Sequence, residues 1–318
     1  MKHIWKILFF SLILFSCKEK NPLDIDVSKI DAEAKIIRFD TIFYGNNPEN
    51  LPRIKKQFPY LFPSSIPDSL WRKKMTDSLF IDLKNEVNRI FPDSLGVENE
   101  LINLFKHVKY YFPKRNEPVI ITIYSDWDYL KKVYLSDSLA FLFLDNYLGK
   151  DNPVYDGIPI YIRQTMRKEY IPVDFAARFA EQIVPYPSTK DFLHKLIYHG
   201  KLLYLQKAFL PQTHDSLLLG YSAKKWKWAV DNEKYVWLYF LDQNLLFDTD
   251  KNLDKRFLDP APFSKFYSEA DRESAGMIGR YIGYQIVKTY AKRNKNVDLK
   301  QLIQLDAQTI FNRSKYKP

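Results

Sequence analysis

The chain of 318 residues holds a single cysteine, Cys17, and its position constrains the fold more than any other residue. Without a second thiol no disulfide forms within the chain, so packing and hydrogen bonding must hold the folded state. Cys17 also closes a distinctive N-terminus. Met1, Lys2, His3 and Lys6 make a positive start, Ile7 to Phe15 is an apolar run of nine residues, and Leu14-Phe15-Ser16-Cys17 ends it. Such a run is about half the ~20 residues of a membrane-spanning helix and reads as a secretory h-region. Leu-x-small-Cys resembles a bacterial lipobox, in which the thiol is acylated and cleavage leaves the cysteine first. Two or three acyl chains, at about 0.8 kcal/mol per buried methylene, moor a domain durably to a bilayer. The expected layout is a lipoprotein signal peptide over 1–16, lipidated Cys17 and a tether over 17–29, and one exported domain over 30–318.

Apolar residues form 46% of the chain and aromatic residues 16%, enough for a substantial core. The formal charge of +10 becomes +8 once Lys2 and Lys6 leave with the signal peptide. An exported protein rarely meets nucleic acid, so no such partner is expected. A solvated basic surface with weak attraction to anionic headgroups is the simpler meaning.

Local patterns predict strands at Ile36 to Phe43, Pro118 to Tyr124 and Leu139 to Leu144, with a short extended edge at Ile158 to Ile162. Five prolines between Pro48 and Pro67 argue against a regular element there, although Phe58, Tyr60 and Phe62 should pack. Three- and four-residue apolar steps predict helices over about 68–91 and 97–111. The second half reads as helical: 189–209, opened by a capping pattern at Ser188 to Asp191 and stopped by Pro211, then about 223–230, 232–246, 274–293 and 298–305. The fold class is α+β in one domain, with a mostly helical C-terminal half and a small N-terminal and central sheet.

Four segments carry a family resemblance. They are Ile36 to Tyr44 (IIRFDTIFY), Lys195 to Pro211 (KLIYHGKLLYLQKAFLP), Leu245 to Phe266 (LLFDTDKNLDKRFLDPAPFSKF) and Glu273 to Tyr290 (ESAGMIGRYIGYQIVKTY). With the lipobox, they resemble the gliding-motility lipoproteins of Bacteroidetes, the GldB family. The resemblance implies a membrane lipoprotein needed for gliding that works with other gliding and secretion proteins of the envelope. It supplies no established chemistry. The family is also distantly similar to zinc metalloproteases carrying H-E-x-x-H, which implies a degenerate zincin-like scaffold.

The metalloprotease motif needs two histidines one helical turn apart with a glutamate between them. With His199 as first ligand, Gly200 and Leu203 stand at the required positions; with His199 second, Lys195 and Leu196 do. His199 at the glutamate place, or His194 as first ligand, fails as well. His194 and His199 lie about 140° apart around a helix and cannot share an ion. His199 beside a buried stripe, and Gly200 where another helix approaches, are therefore expected. Asp248-Thr249-Asp250 resembles the start of a calcium loop, but Leu253 replaces the glycine of the sixth place, so a capping or solvated loop fits better. Ala275, Gly279 and Gly283 should flatten one helix face for close packing.

No metal, cofactor or catalytic residue is assigned. Candidate binding residues are His199, Lys201, Tyr204, Glu233, Asp248, Asp250, Glu273 and Arg280. The expected role is a non-catalytic, lipid-anchored protein needed for gliding, supporting assembly or stability of the gliding and secretion machinery. Two alternatives remain open. One is a metal-dependent peptidase or other hydrolase using His199 with Glu233, Asp248 and Glu273. The other is a binder of cell wall or polysaccharide through Trp226, Trp228, Trp237 and Tyr239. Lys18 after the cysteine favours the periplasmic face of the outer membrane, with surface exposure also open.

Overall fold

A computed structural model describes Leu23 and residues 25–318; the expected signal peptide, Cys17 and the first part of the expected tether lie outside the described residues. A four-stranded sheet has the order β1 (Ile36–Ile37), β2 (Val119–Ile123), β4 (Leu139–Phe143) and β3 (Val133–Leu135). The first three strands run parallel, with Ile36 opposite Ile120 and Ile120 opposite Ala140, while β3 closes the far edge antiparallel to β4. Val119 to Ile123 and Leu139 to Phe143 are near-continuous apolar runs, as strands covered on both faces require.

Helices precede and follow this sheet along the chain. The N-terminal part has α1 (Phe39–Tyr44), α2 (Leu51–Gln57), α3 (Asp68–Thr76), α4 (Ser78–Ile90) and α5 (Glu98–Tyr111). After the sheet come α6 (Ile160–Arg163), α7 (Ile171–Ile183), α8 (Phe192–Phe209) and α9 (Asp215–Leu218). The remainder is α10 (Ala223–Asp231), α11 (Glu233–Asp242), α12 (Asn252–Phe257), α13 (Ile278–Arg293), α14 (Leu299–Gln304) and α15 (Ala307–Ser314). The result is α+β, and no helix among the described residues is long and apolar enough to cross a membrane.

Several sequence expectations need correction. The strand expected over 36–43 ends at Ile37, and the chain turns into α1. Alternation would put Phe39 and Phe43 on a strand face, but helical spacing stacks their rings 5.7 Å apart inside a cluster with Phe58, Phe62 and Trp71. That cluster decides the local conformation. Ile158 to Ile162 is not an extended edge either, because Pro159 precedes the short α6. A strand would point Ile160 inward beside Ile158 and Ile162, whereas the helix leaves it 74% exposed. The proline-rich stretch contains α2, since Pro52 falls in the first turn, where its missing N–H costs nothing.

The long helix expected over 68–91 breaks at Asp77, which is extended and caps α4 by accepting from the Leu79 N–H at 2.9 Å. Met277, in the left-handed region at φ 55°, delays α13 to Ile278, and Asn244 similarly marks the end of the α11 segment. The α8 cap is Asp191, which accepts from the His194 N–H at 2.9 Å. Leu23 and Val27, in the expected tether, are buried against the body.

α8 is the axis of the helical half. It is buried around most of its circumference, from Phe192 and Leu193 through Leu203 and Leu205 to Phe209, as expected of a helix apolar on every side. It packs against α5, α7, α13 and α15. The closest approach is to α13: a Cβ on Gly200 would run into the Gly283 carbonyl, and one on Gly283 into the Leu196 carbonyl. Gly279 is less tight, with Leu196 Cδ2 and Leu258 Cδ2 each 2.9 Å from where its Cβ would stand. Both sequence arguments for close packing therefore describe one interface, seen from its two sides.

Candidate functional site

The same packing that joins α8 to α13 opens a cleft of about 370 Å³ beside it. α7 provides Asp174, Arg178 and Glu181, which follow four- and three-residue steps and so share a helix face. α8 adds Tyr198, His199, Leu202, Leu203 and Gln206; α13 adds Arg280; Lys132, just before β3, and Tyr170, just before α7, complete the polar wall. Three cations face two carboxylates in this lining, leaving one positive charge in excess when His199 is neutral.

Most of these charges have partners. Lys132 Nζ donates to the Thr165 carbonyl at 2.9 Å and its hydroxyl at 2.7 Å, and stands 3.6 Å from Asp174. Asp174 accepts from the Tyr147 hydroxyl at 2.8 Å. Arg178 and Glu181 pair at 2.8 Å near the rim, each partly open to solvent and partly shielded by the cleft wall. Arg280 is different. Its Nε donates to the Leu258 carbonyl at 2.6 Å, and no carboxylate is within ion-pairing distance among the described residues. His199 has a ring contact with Tyr198 at 5.3 Å and no hydrogen bond among the described residues.

These surroundings set the protonation states. Burial first, and then the nearby Arg280 charge, push His199 down to about 3, so its ring is neutral at pH 7. Burial lowers Arg280 against the opposing influence of Tyr221 and the nearby carboxylates of Asp259 and Glu181, and lowers Lys132 against the pull of Asp174. Glu181 is raised by burial, with Arg178 and Arg280 opposing. A buried cation, a neutral imidazole and a raised carboxyl in one cleft mark a site whose polar groups are incompletely satisfied.

The His199 shift has a consequence for stability. In the unfolded chain the ring returns to its ordinary value of 6.5, so below that pH the unfolded state binds the extra proton. Stability is therefore complete above about pH 6.5 and falls as pH drops toward about 3, by up to roughly 1.4 kcal/mol per pH unit. His199→Gln should flatten this limb in urea-unfolding curves taken between pH 4.5 and 7. An unchanged slope would show that His199 titrates normally in the folded protein.

A family model described as gliding motility protein GldB matches residues 20–318, nearly the whole chain. The chain belongs to the GldB family. Membership ties it to gliding motility. Comparison with curated proteins and with solved structures gives no match.

In this GldB-family chain, two of the expected binding residues, His199 and Arg280, meet in the cleft. The others are dispersed. Lys201 is buried and donates to the Leu305 carbonyl, which ties α8 to the end of α14; burial lowers it to about 8. Tyr204 lines a different cleft with Lys207, Asp215 and Lys288. Glu233 accepts from the Tyr281 and Tyr316 hydroxyls at 2.6 and 2.7 Å, a structural tie between α11, α13 and the C-terminus. Asp248 and Asp250 each accept a backbone N–H two residues on, at 2.8 and 2.9 Å, and so form the turn that leads into α12. Neither meets Arg280. Glu273 is exposed, and its carbonyl accepts from Lys225. Among the described residues no three His, Cys, Asp or Glu converge as metal ligands.

The three tryptophans of α10 and α11 pack against neighbouring aromatic rings, while Tyr235 stays exposed. Trp226 meets His214 and Tyr281, Trp228 meets Phe266, and Trp237 is buried against Phe311 and Tyr316. The sequence expectations include no helix over 171–183, so Asp174, Arg178 and Glu181 join the site only in the structure. The signal was present: Ile171, Phe175 and Phe179 recur on one face of Ile171 to Ile183, with Pro172 in the first turn and charges on the other face.

Proposed function

We propose that this protein is a non-catalytic, lipid-anchored binding component of the gliding apparatus. It supports the assembly or stability of other gliding and secretion proteins in the envelope, from the periplasmic face of the outer membrane. The observation that carries this reading is position 200. A metallopeptidase helix beginning with His199 would place its glutamate there and its second histidine at 203. Position 200 is instead pressed onto the Gly283 carbonyl, and position 203 is a buried leucine. A glutamate side chain at 200 has no space unless α8 and α13 separate. The helix packs and presents His199, and it lacks the H-E-x-x-H donor set.

The anchor reading rests on Leu14-Phe15-Ser16-Cys17, and the first described residues agree with it. Leu23 and Ile25 seat in the cleft that also holds Tyr204, Lys288, Lys292 and Lys295. Cys17 is six residues before Leu23, a reach of about 20 Å at most. An acyl chain on Cys17 would therefore keep this lysine-bearing end near the bilayer, where anionic headgroups attract it.

Gene deletion in a gliding host should abolish spreading and lower the level of at least one envelope partner. Unchanged spreading with unchanged partners would overturn the proposal. Stoichiometric zinc in the purified protein, lost on His199→Ala, would instead revive the metal-dependent hydrolase alternative. Cys17→Ser should abolish palmitate labelling and release the protein from membranes.

A further inference from the structure

We infer that the cleft between α7, α8 and α13 binds a carboxylate group, most simply the free C-terminal end of a peptide, with Arg280 as its receptor. This rests on the binding role proposed above and names the chemistry that role would use. Arg280 is the one cation of the cleft lining without a carboxylate partner among the described residues. Its Nε is fixed on the Leu258 carbonyl, which orients the guanidinium and leaves its two terminal nitrogens for a ligand. Guanidinium and carboxylate match in geometry and charge, and such paired bonds are about twice as strong as neutral ones.

His199 stands in the same lining with no hydrogen-bond partner among the described residues. As a neutral ring it can donate one N–H beside the Arg280 contact without adding charge. The remaining lining suits a peptide end. Glu181 and Gln206 offer acceptors for backbone N–H groups, and Tyr198 and Leu202 offer apolar surface. The volume of about 370 Å³ falls in the range of roughly 300–1,000 Å³ typical of small-ligand clefts. A bound carboxylate also cancels the single excess positive charge, so occupied and empty clefts differ in net charge by one.

The test uses the full mature protein in detergent micelles, with labelled histidine rings observed by NMR. Four of the chain's five histidines remain once His3 leaves with the signal peptide, and His199→Gln assigns the resonance. Acetyl-Ala-Ala-Ala with a free C-terminus, the same peptide as its C-terminal amide, and acetate are titrated separately. The free acid should shift the His199 resonance and bind at least tenfold more tightly than the amide. Arg280→Gln should remove this preference, and Arg280→Lys should retain part of it. The acid-against-amide comparison needs no variant, so it stands even if Arg280 substitutions unfold the chain. Acetate acting as strongly as the peptide would support the carboxylate site and assign it to a small anion. Equal binding of acid and amide, or no His199 shift with either, would overturn the proposal and leave the non-catalytic role to its own tests. Hydrolysis of the bound peptide would do the reverse.

Discussion

Gly283→Ala is expected to destabilise the protein by about 3 kcal/mol or more, measured as the loss of unfolding free energy in urea. Helix propensity alone predicts the opposite sign, because alanine is favoured over glycine in a helix interior by about 1 kcal/mol. The packing term should win. A Cβ at position 283 would meet the Leu196 carbonyl, with further contact to the Leu196 α-carbon at 3.2 Å. The obstacle is the backbone of a buried helix, which cannot rotate aside as a side chain can. Relief requires α8 and α13 to separate along a face that Gly200 also needs closed. Gly279→Ala, which meets the flexible ends of Leu196 and Leu258 and approaches the Phe257 carbonyl oxygen no closer than 3.0 Å, should cost distinctly less. The same separation would draw Arg280 away from His199, so Gly283→Ala should weaken any ligand held by both. A loss below about 1 kcal/mol would show that the two helices are not locked at this crossing.

Arg38→Met is expected to cost about 3–5 kcal/mol, the usual penalty for leaving one partner of a buried ion pair alone. Asp40 is fully buried at the start of α1. Arg38 grips it with two parallel bonds, Nε to Oδ1 and Nη2 to Oδ2, each 2.9 Å. Its third nitrogen donates to the Phe91 carbonyl at 2.8 Å, beyond the end of α4. The Thr122 hydroxyl of β2 also donates to Asp40. One pair thus joins the turn after β1 to the central sheet and to α4. If the penalty comes from the stranded charge, Arg38→Met combined with Asp40→Asn should recover at least half of the lost stability. Failure of the double variant to recover would place the cost in lost packing and in the Phe91 contact.

The elements readable from sequence are those whose evidence is local. Val119 to Ile123 and Leu139 to Phe143 are apolar and branched enough to be strands in any covered sheet, and they are. α8 was legible from its length, its apolar circumference and Pro211 beyond it; only its cap moved, to Asp191. Gly200 and Gly283 each announced a close approach, because a glycine inside a helix has a cost that packing must offset. Neither could reveal that the other was its partner, 83 positions away. Short apolar segments were the failures. Ile36 to Phe43 and Ile158 to Ile162 suit both periods over so few residues, and distant contacts decided between them: the Phe58, Phe62 and Trp71 rings for α1, and solvent on Ile160 for α6.

The lone thiol with its lipobox pattern, the α+β class, the buried His-bearing helix and the absence of a complete H-E-x-x-H in any register are all legible in residue order. Family membership follows from the same string, since it depends on residue order along nearly the whole chain. Tertiary structure alone decided the site. Lys132, Asp174, Glu181, His199 and Arg280 span almost 150 positions, and local spacing relates only Asp174 and Glu181. The physical reason is one of range. Caps, turns and periodicities act over three or four residues, so they are written in the order of the chain. The partner that Arg280 lacks, and the burial that keeps His199 neutral, exist only after segments far apart have packed together.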